Sequence, residues 1–145
     1  MVREGIEMEG EEGEEEDIKR EEIVKVLMKL KEGKAPGEDG LENEVWKKMP
    51  MEVGEALEEV LRRIWRREKI PKEWKKGVIC PVFKKGVKGM VENYRGITLM
   101  DTAYKIYAGI LHERLMAKVE GKLQKGQYGF RRGRGTMDAV FVLNT

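Results

Sequence analysis

The sequence predicts a helix-rich α+β fold with one short β-hairpin, and three observations carry that expectation. Two long stretches, 53–67 and 101–119, repeat apolar residues at helical spacing. Two short apolar runs, Val78–Phe83 and Tyr94–Leu99, flank a lysine- and glycine-bearing turn. No other segment reads convincingly as a strand.

The elements follow in order. Residues 1–17 hold nine acidic side chains against Arg3, a net of −8, so the rest of the chain carries +10 of the overall +2. Acidic, glycine-punctuated runs of this kind repel themselves and bury little, so 1–17 is expected to be a disordered tail or linker ahead of a domain over 18–145. Asp17 is a candidate cap for a helix whose stripe is Ile23, Val24, Leu27, Met28 and Leu30, ended by Gly33 with Pro36 beyond it. Ala35-Pro-Gly-Glu-Asp-Gly40 is a turn cluster, and Asp39 within it is expected to be structural. A short helix over Leu41–Lys48 precedes Pro50. The next helix carries Val53, Leu57, Val60, Leu61, Ile64 and Trp65, and Pro71 closes that stretch. Trp74 is expected to pack where the chain enters the first strand.

Pro81 marks the first strand as an edge or a bulge. Lys84–Met90 is the turn. Asp101 or Thr102 caps the following helix, whose stripe is Ala103, Ile106, Tyr107, Ile110, Leu111, Leu115 and Val119, with Gly121 at its end. Gln127–Phe130 is expected to be a short extended segment, and Thr136 and Asp138 open a last helix over Met137–Leu143. A lone hairpin is marginal in water, so the helices Val53–Arg67 and Asp101–Val119 are expected to cover it.

Composition excludes several function classes. Cys80 is the single cysteine, which rules out an intrachain disulfide or a cysteine-built zinc cluster. No Gly-x-x-x-x-Gly-Lys sequence occurs, so phosphate is not bound through a P-loop. The N-terminus has glutamates where a signal peptide has an apolar run, and no apolar stretch approaches a membrane span. A cytoplasmic or nuclear location without membrane attachment is expected. His112 stands mid-helix with no nucleophile partner. No paired carboxylates are positioned to share a metal, so neither a catalytic nor a metal-ligating residue is assigned. The basic remainder suits an anionic partner.

The candidate binding residues are cations on the hairpin and beyond it. Lys84 and Lys85 sit on the turn beside Gly86, and strand alternation by itself leaves open which of them faces a ligand. Arg95 follows Tyr94 at the start of the second strand; arginine offers a planar, permanently charged fork for phosphate oxygens. Arg131, Arg132 and Arg134 alternate with glycines after Gln127-Tyr-Gly-Phe130.

The order of Ala35-Pro-Gly-Glu-Asp-Gly40, Pro81-Val-Phe-Lys-Lys-Gly86, Glu92-Asn-Tyr-Arg-Gly-Ile-Thr-Leu99, Tyr104-Lys105-Ile106, Arg114-Leu115 and Gln127-Tyr-Gly-Phe-Arg131 resembles the reverse transcriptases of non-long-terminal-repeat, jockey-type retrotransposons. The resemblance covers roughly residues 18 to 145. It implies the fingers subdomain of a right-hand polymerase, truncated before the palm that bears the catalytic aspartates. It implies that Lys84, Lys85 and Arg95 bind the incoming nucleotide, and that Gln127, Phe130 and Arg131 lie beside the template. RNA or DNA template-primer and a deoxynucleoside triphosphate are the implied partners, with Mg²⁺ expected only in the complete enzyme and the chain alone inactive. Val87 stands where the family often has Asp, which bears on the geometry of the turn. A stand-alone basic nucleic-acid-binding module and an inert remnant of a mobile element are the alternatives to a polymerase fragment. The truncation also implies an exposed apolar patch at Val140, Phe141 and Leu143.

Overall fold

The computed structural model describes residues 16–124, 126–129, 131 and 133–143. The described residues form an α+β architecture of five α-helices and one two-stranded antiparallel sheet, in two compact units divided after Tyr107. The expected tail falls almost wholly on residues outside this description.

In the first unit, α1 spans Arg20–Lys29. Asp17 does not cap it. Lys19 holds that position, and its amide donates to Glu22 Oε2 at 2.9 Å, while Asp17 accepts from the Ile18 amide and from Arg66. The buried face of α1 is Ile23 and Val26, joined by Ile18; Val24 and Met28 are exposed, contrary to the expected stripe. A stripe of apolar residues sets the width of a helix face, and tertiary packing decides which edge of it is covered.

Helix α2 is short, Asn43–Lys47, and α3 runs Met51–Arg67 from Pro50. Leu57, Leu61 and Ile64 recur at four- and three-residue spacing and are buried, whereas Val53 and Val60 on the flanks of that row are exposed. Trp74 lies in a single 3₁₀ turn, Glu73–Lys75, and is buried as expected. Its ring centroid is 6.1 Å from that of Tyr104 and 6.2 Å from that of Tyr107. Those tyrosines belong to α4, Thr102–Val119, whose opening turns bury Ala103, Ile106 and Tyr107.

The loop between α1 and α2 is pinned to the start of α4 by buried polar groups. Thr102 Oγ1 donates to Asn43 Oδ1 at 2.9 Å, and Asn43 Nδ2 donates to the Lys31 carbonyl at 2.7 Å. The Asp39 side chain accepts from the Leu41 amide at 3.0 Å, and the Asp39 amide donates to Asp101 Oδ1. A side chain at Gly37 would collide with Asp101 and the Met100 backbone, which explains a glycine inside this turn. Asp39 thus has the structural role its turn chemistry indicates.

Strand β1 is Val78–Phe83 and β2 is Tyr94–Leu99, in continuous antiparallel register from Val78↔Leu99 to Phe83↔Tyr94. There is no bulge at Pro81. The ladder bond at Lys84 fixes the phase, so the ring nitrogen of Pro81 faces the outer edge, where no donor is required. The expectation that helices cover this hairpin is overturned: every residue of β1 is exposed, and only Tyr94 and Leu99 of β2 are half-buried. The buried residues of α3 and of the first turns of α4 belong to the core instead, with Trp74 against Tyr104 and Tyr107.

The second unit begins at Ala108 within α4. Ile110 is buried, while Leu115, expected on the same stripe, is exposed. A 3₁₀ turn, Glu120–Lys122, follows, then an irregular stretch and α5, Thr136–Leu143. Gln127–Gly129 does not form a strand, and Phe130 lies outside the described residues. Asp138 Oδ2 accepts the Gly135 amide at 2.6 Å, reaching back over the first turn of α5. Val140 and Phe141 are exposed, as the expected patch requires; the Leu143 side chain lies outside the description. No helix among the described residues is long and apolar enough to cross a membrane.

Candidate nucleic-acid interface

The hairpin presents two faces, and its register assigns each candidate residue to one of them. Directly opposed residues of an antiparallel pair project from the same face. Val82 opposes Arg95, and Phe83 opposes Tyr94 on the other face. The Lys84 amide donates to the Asn93 carbonyl at 2.8 Å, which carries the ladder one step beyond the strands. By alternation Lys84 therefore shares the face of Val82 and Arg95, and Lys85 is one residue out of phase with them. Lys84, Lys85 and Arg95 are all exposed, and among the described residues their side chains make no ion pair. A lysine and an arginine on one open face form a cationic pair available to phosphate oxygens.

The turn that holds Lys84 is built rather than slack. Gly86 has φ 95, a region L side chains rarely adopt, and a Cβ there would stand 2.8 Å from the Asn93 amide group. Asn93 Nδ2 donates to the Val87 carbonyl at 2.9 Å, and the Tyr94 hydroxyl donates to the Lys88 carbonyl at 2.9 Å. The Phe83 and Tyr94 rings meet edge to face at 5.5 Å between centroids, with the Lys88 ammonium 6.0 Å from the Phe83 centroid. Val87, the departure from the family pattern, enters this turn through its backbone carbonyl, so its side chain is not what closes it. Sequence reasoning missed Asn93 and Tyr94 as parts of this site. Their signal was the turn itself: a Lys-Lys-Gly corner needs partners for its backbone, and an Asn-Tyr pair opens the return strand.

The second cluster differs. Arg131 donates from Nε and Nη2 to Glu120 Oε1, at 3.1 and 2.6 Å, and from Nη1 to the Gln124 carbonyl at 3.1 Å. Its side chain is 9% exposed. The guanidinium closes the loop between α4 and the glycine-rich stretch instead of projecting into solvent. Gln127 is exposed, with its amide donating to the Gln124 carbonyl at 3.1 Å. Phe130 and Arg132 lie outside the described residues. Arg134 sits 5.6 Å from the Tyr128 ring centroid.

Among the described residues no group of three or more His, Cys, Asp or Glu side chains gathers as a metal site requires.

No family model matches the chain. Individual proteins do. It is 31% identical over 129 residues to the probable RNA-directed DNA polymerase of transposon BS from Drosophila melanogaster, an alignment covering 87% of this chain and 14% of that protein. It is 28% identical over 122 residues to the probable RNA-directed DNA polymerase of transposon X-element from Drosophila melanogaster, covering 82% and 13% respectively. With the RNA-directed DNA polymerase of the mobile element jockey from Drosophila melanogaster it shares 31% identity over 123 residues, covering 83% and 13%. The chain thus spans 13–14% of the length of these relatives. The chain is a relative of the RNA-directed DNA polymerases of non-long-terminal-repeat retrotransposons, matched over most of its own length and a small part of theirs.

Proposed function

We propose that this chain is the nucleotide- and template-gripping fingers portion of a retrotransposon RNA-directed DNA polymerase, and that Lys84 and Arg95 are its principal phosphate contacts. The observation that carries this reading is the hairpin register, which puts Lys84 and Arg95 on one exposed face of an otherwise uncovered sheet. Arg95 supplies a planar fork suited to two phosphate oxygens at once, and Lys84 a compact charge beside it. Gln127 is assigned a template contact. Arg131 is a positioning residue that holds the loop carrying Gln127. The transfer step, with its Mg²⁺, is assigned to parts of the polymerase beyond the matched segment. This chain's own residues bind and orient, and catalyse no transfer.

The test is the affinity of the full chain for a labelled RNA–DNA template-primer as a function of salt. Phosphate-mediated binding weakens linearly with log salt, and each cation removed from a phosphate flattens that slope by roughly 0.7 to 0.9. Lys84→Ala and Arg95→Ala are expected to do so, and Lys85→Ala less. Binding indifferent to salt, or a slope untouched by both variants, overturns the assignment.

A further inference from the structure

The polar face of α3 forms an open groove of about 670 Å³ that includes five arginines, Arg62, Arg63, Arg66 and Arg67 with Arg20 of α1. Glu55, Glu58 and Glu59 also line it, and Glu58 and Glu59 pair with Arg62 and Arg63 one turn on. Arg20 and Arg67 make no ion pair among the described residues. One arginine of this lining already pairs with a carboxylate from elsewhere in the chain. Asp17 Oδ2 accepts from Arg66 through both Nε and Nη2, and Arg62 Nε donates to the Ile18 carbonyl at 2.8 Å. The Arg66 guanidinium holds the Asp17 carboxyl below its ordinary value.

Asp17 is the last residue of the acidic run. Between Glu4 and Glu16 the sequence adds eight glutamates and no basic residue. That run therefore joins the folded chain beside its arginine groove, with its final carboxylate on Arg66, one of the residues that line it. We propose that the arginine groove on α3 is the docking surface of the chain's own acidic segment, residues 4–17, which acts there as an internal polyanion.

Charge and tether support this occupant over a free polyanion. The exposed Glu59–Arg63 pair within α3 contributes at most about 1 kcal/mol and exchanges partners readily. A segment tied to the groove at Asp17 meets these arginines at an effective concentration in the millimolar range, so even weak interactions are populated. Nine extended residues reach about 30 Å, more than the roughly 25 Å length of a 17-residue helix such as α3.

The test uses the full chain with Cys80→Ser and Met8→Cys, carrying a paramagnetic label at position 8. At low salt the backbone amide signals of Arg62–Arg67 are expected to broaden. At about 1 M salt, where charges are screened beyond roughly 3 Å, they are expected to recover. Arg63→Gln with Arg67→Gln should abolish the broadening while leaving the melting curve unchanged. Absence of broadening on α3, persistence at high salt or in the variant, or broadening centred on Lys84 and Arg95 instead, each overturns the proposal. A nucleic acid that binds the groove equally well with and without neutralised glutamates at 11, 12, 14 and 15 overturns it too.

Discussion

Thr102 and Asn43 are 59 positions apart in sequence, yet they share a buried 2.9 Å hydrogen bond that joins the first residue of α2 to the first turn of α4. Thr102 is fully buried and Asn43 nearly so. Removing the hydroxyl leaves Asn43 Oδ1 without its donor in a site closed to water. Thr102→Val, which keeps the shape, is expected to cost about 1–3 kcal/mol. Urea denaturation followed by far-UV circular dichroism checks this; an unchanged midpoint contradicts it.

Gly86→Ala tests whether the turn is shaped by its backbone. The added methyl meets the Asn93 amide group at a φ that alanine adopts with strain. The expected local penalty is about 1–3 kcal/mol. Because the hairpin is exposed, the destabilisation should appear as faster amide hydrogen exchange at Lys84 and across β1–β2, with the helical core unaffected. Equal exchange rates in variant and parent would refute it.

Arg131 makes a different prediction from Lys84 and Arg95. Its three donors satisfy Glu120 and the Gln124 carbonyl from a nearly buried side chain. Arg131→Ala is expected to cost the second unit about 1–3 kcal/mol, read as reduced exchange protection around Glu120–Gln127. Arg131→Lys should not rescue it, since an ammonium cannot reproduce the planar fork. A variant that loses template affinity with protection intact would instead make Arg131 a direct template-binding residue.

Two carboxylates are expected to contribute to the acid limb of stability. The Arg66 side chain holds Asp17 below its ordinary value of 3.8, and the Gly33 amide, 2.6 Å from Glu44 Oε1, holds Glu44 below 4.5. A depressed folded-state pKa contributes stability above the unfolded value and loses it as pH falls through the folded one. Asp17→Asn and Glu44→Gln should each lower stability at neutral pH and leave a shallower decline on acidification. Parent and variant curves should converge below the depressed values. Parallel curves across the acid range would rule out both pairings as the source.

Local chemistry carried a large part of this protein on its own. The rows in α3 and α4 place helices because side chains three and four apart share a face, and Trp74 and Asp39 behave as their surroundings in sequence indicate. The ordered motifs likewise pointed to the retrotransposon polymerases. What sequence could not decide were contacts between residues far apart or choices between near-equivalent faces. Ile23 and Val26, not Val24 and Met28, meet the core, because helical spacing does not say which edge of a stripe is covered. Lys84 is phased with Arg95 only once β1 and β2 are in register, since a one-residue slip would exchange the faces. Arg131 looks in sequence like Arg134, which is exposed in the same glycine-rich stretch. Its guanidinium is withdrawn because Glu120, eleven positions away, lies within hydrogen-bonding distance only in the folded chain.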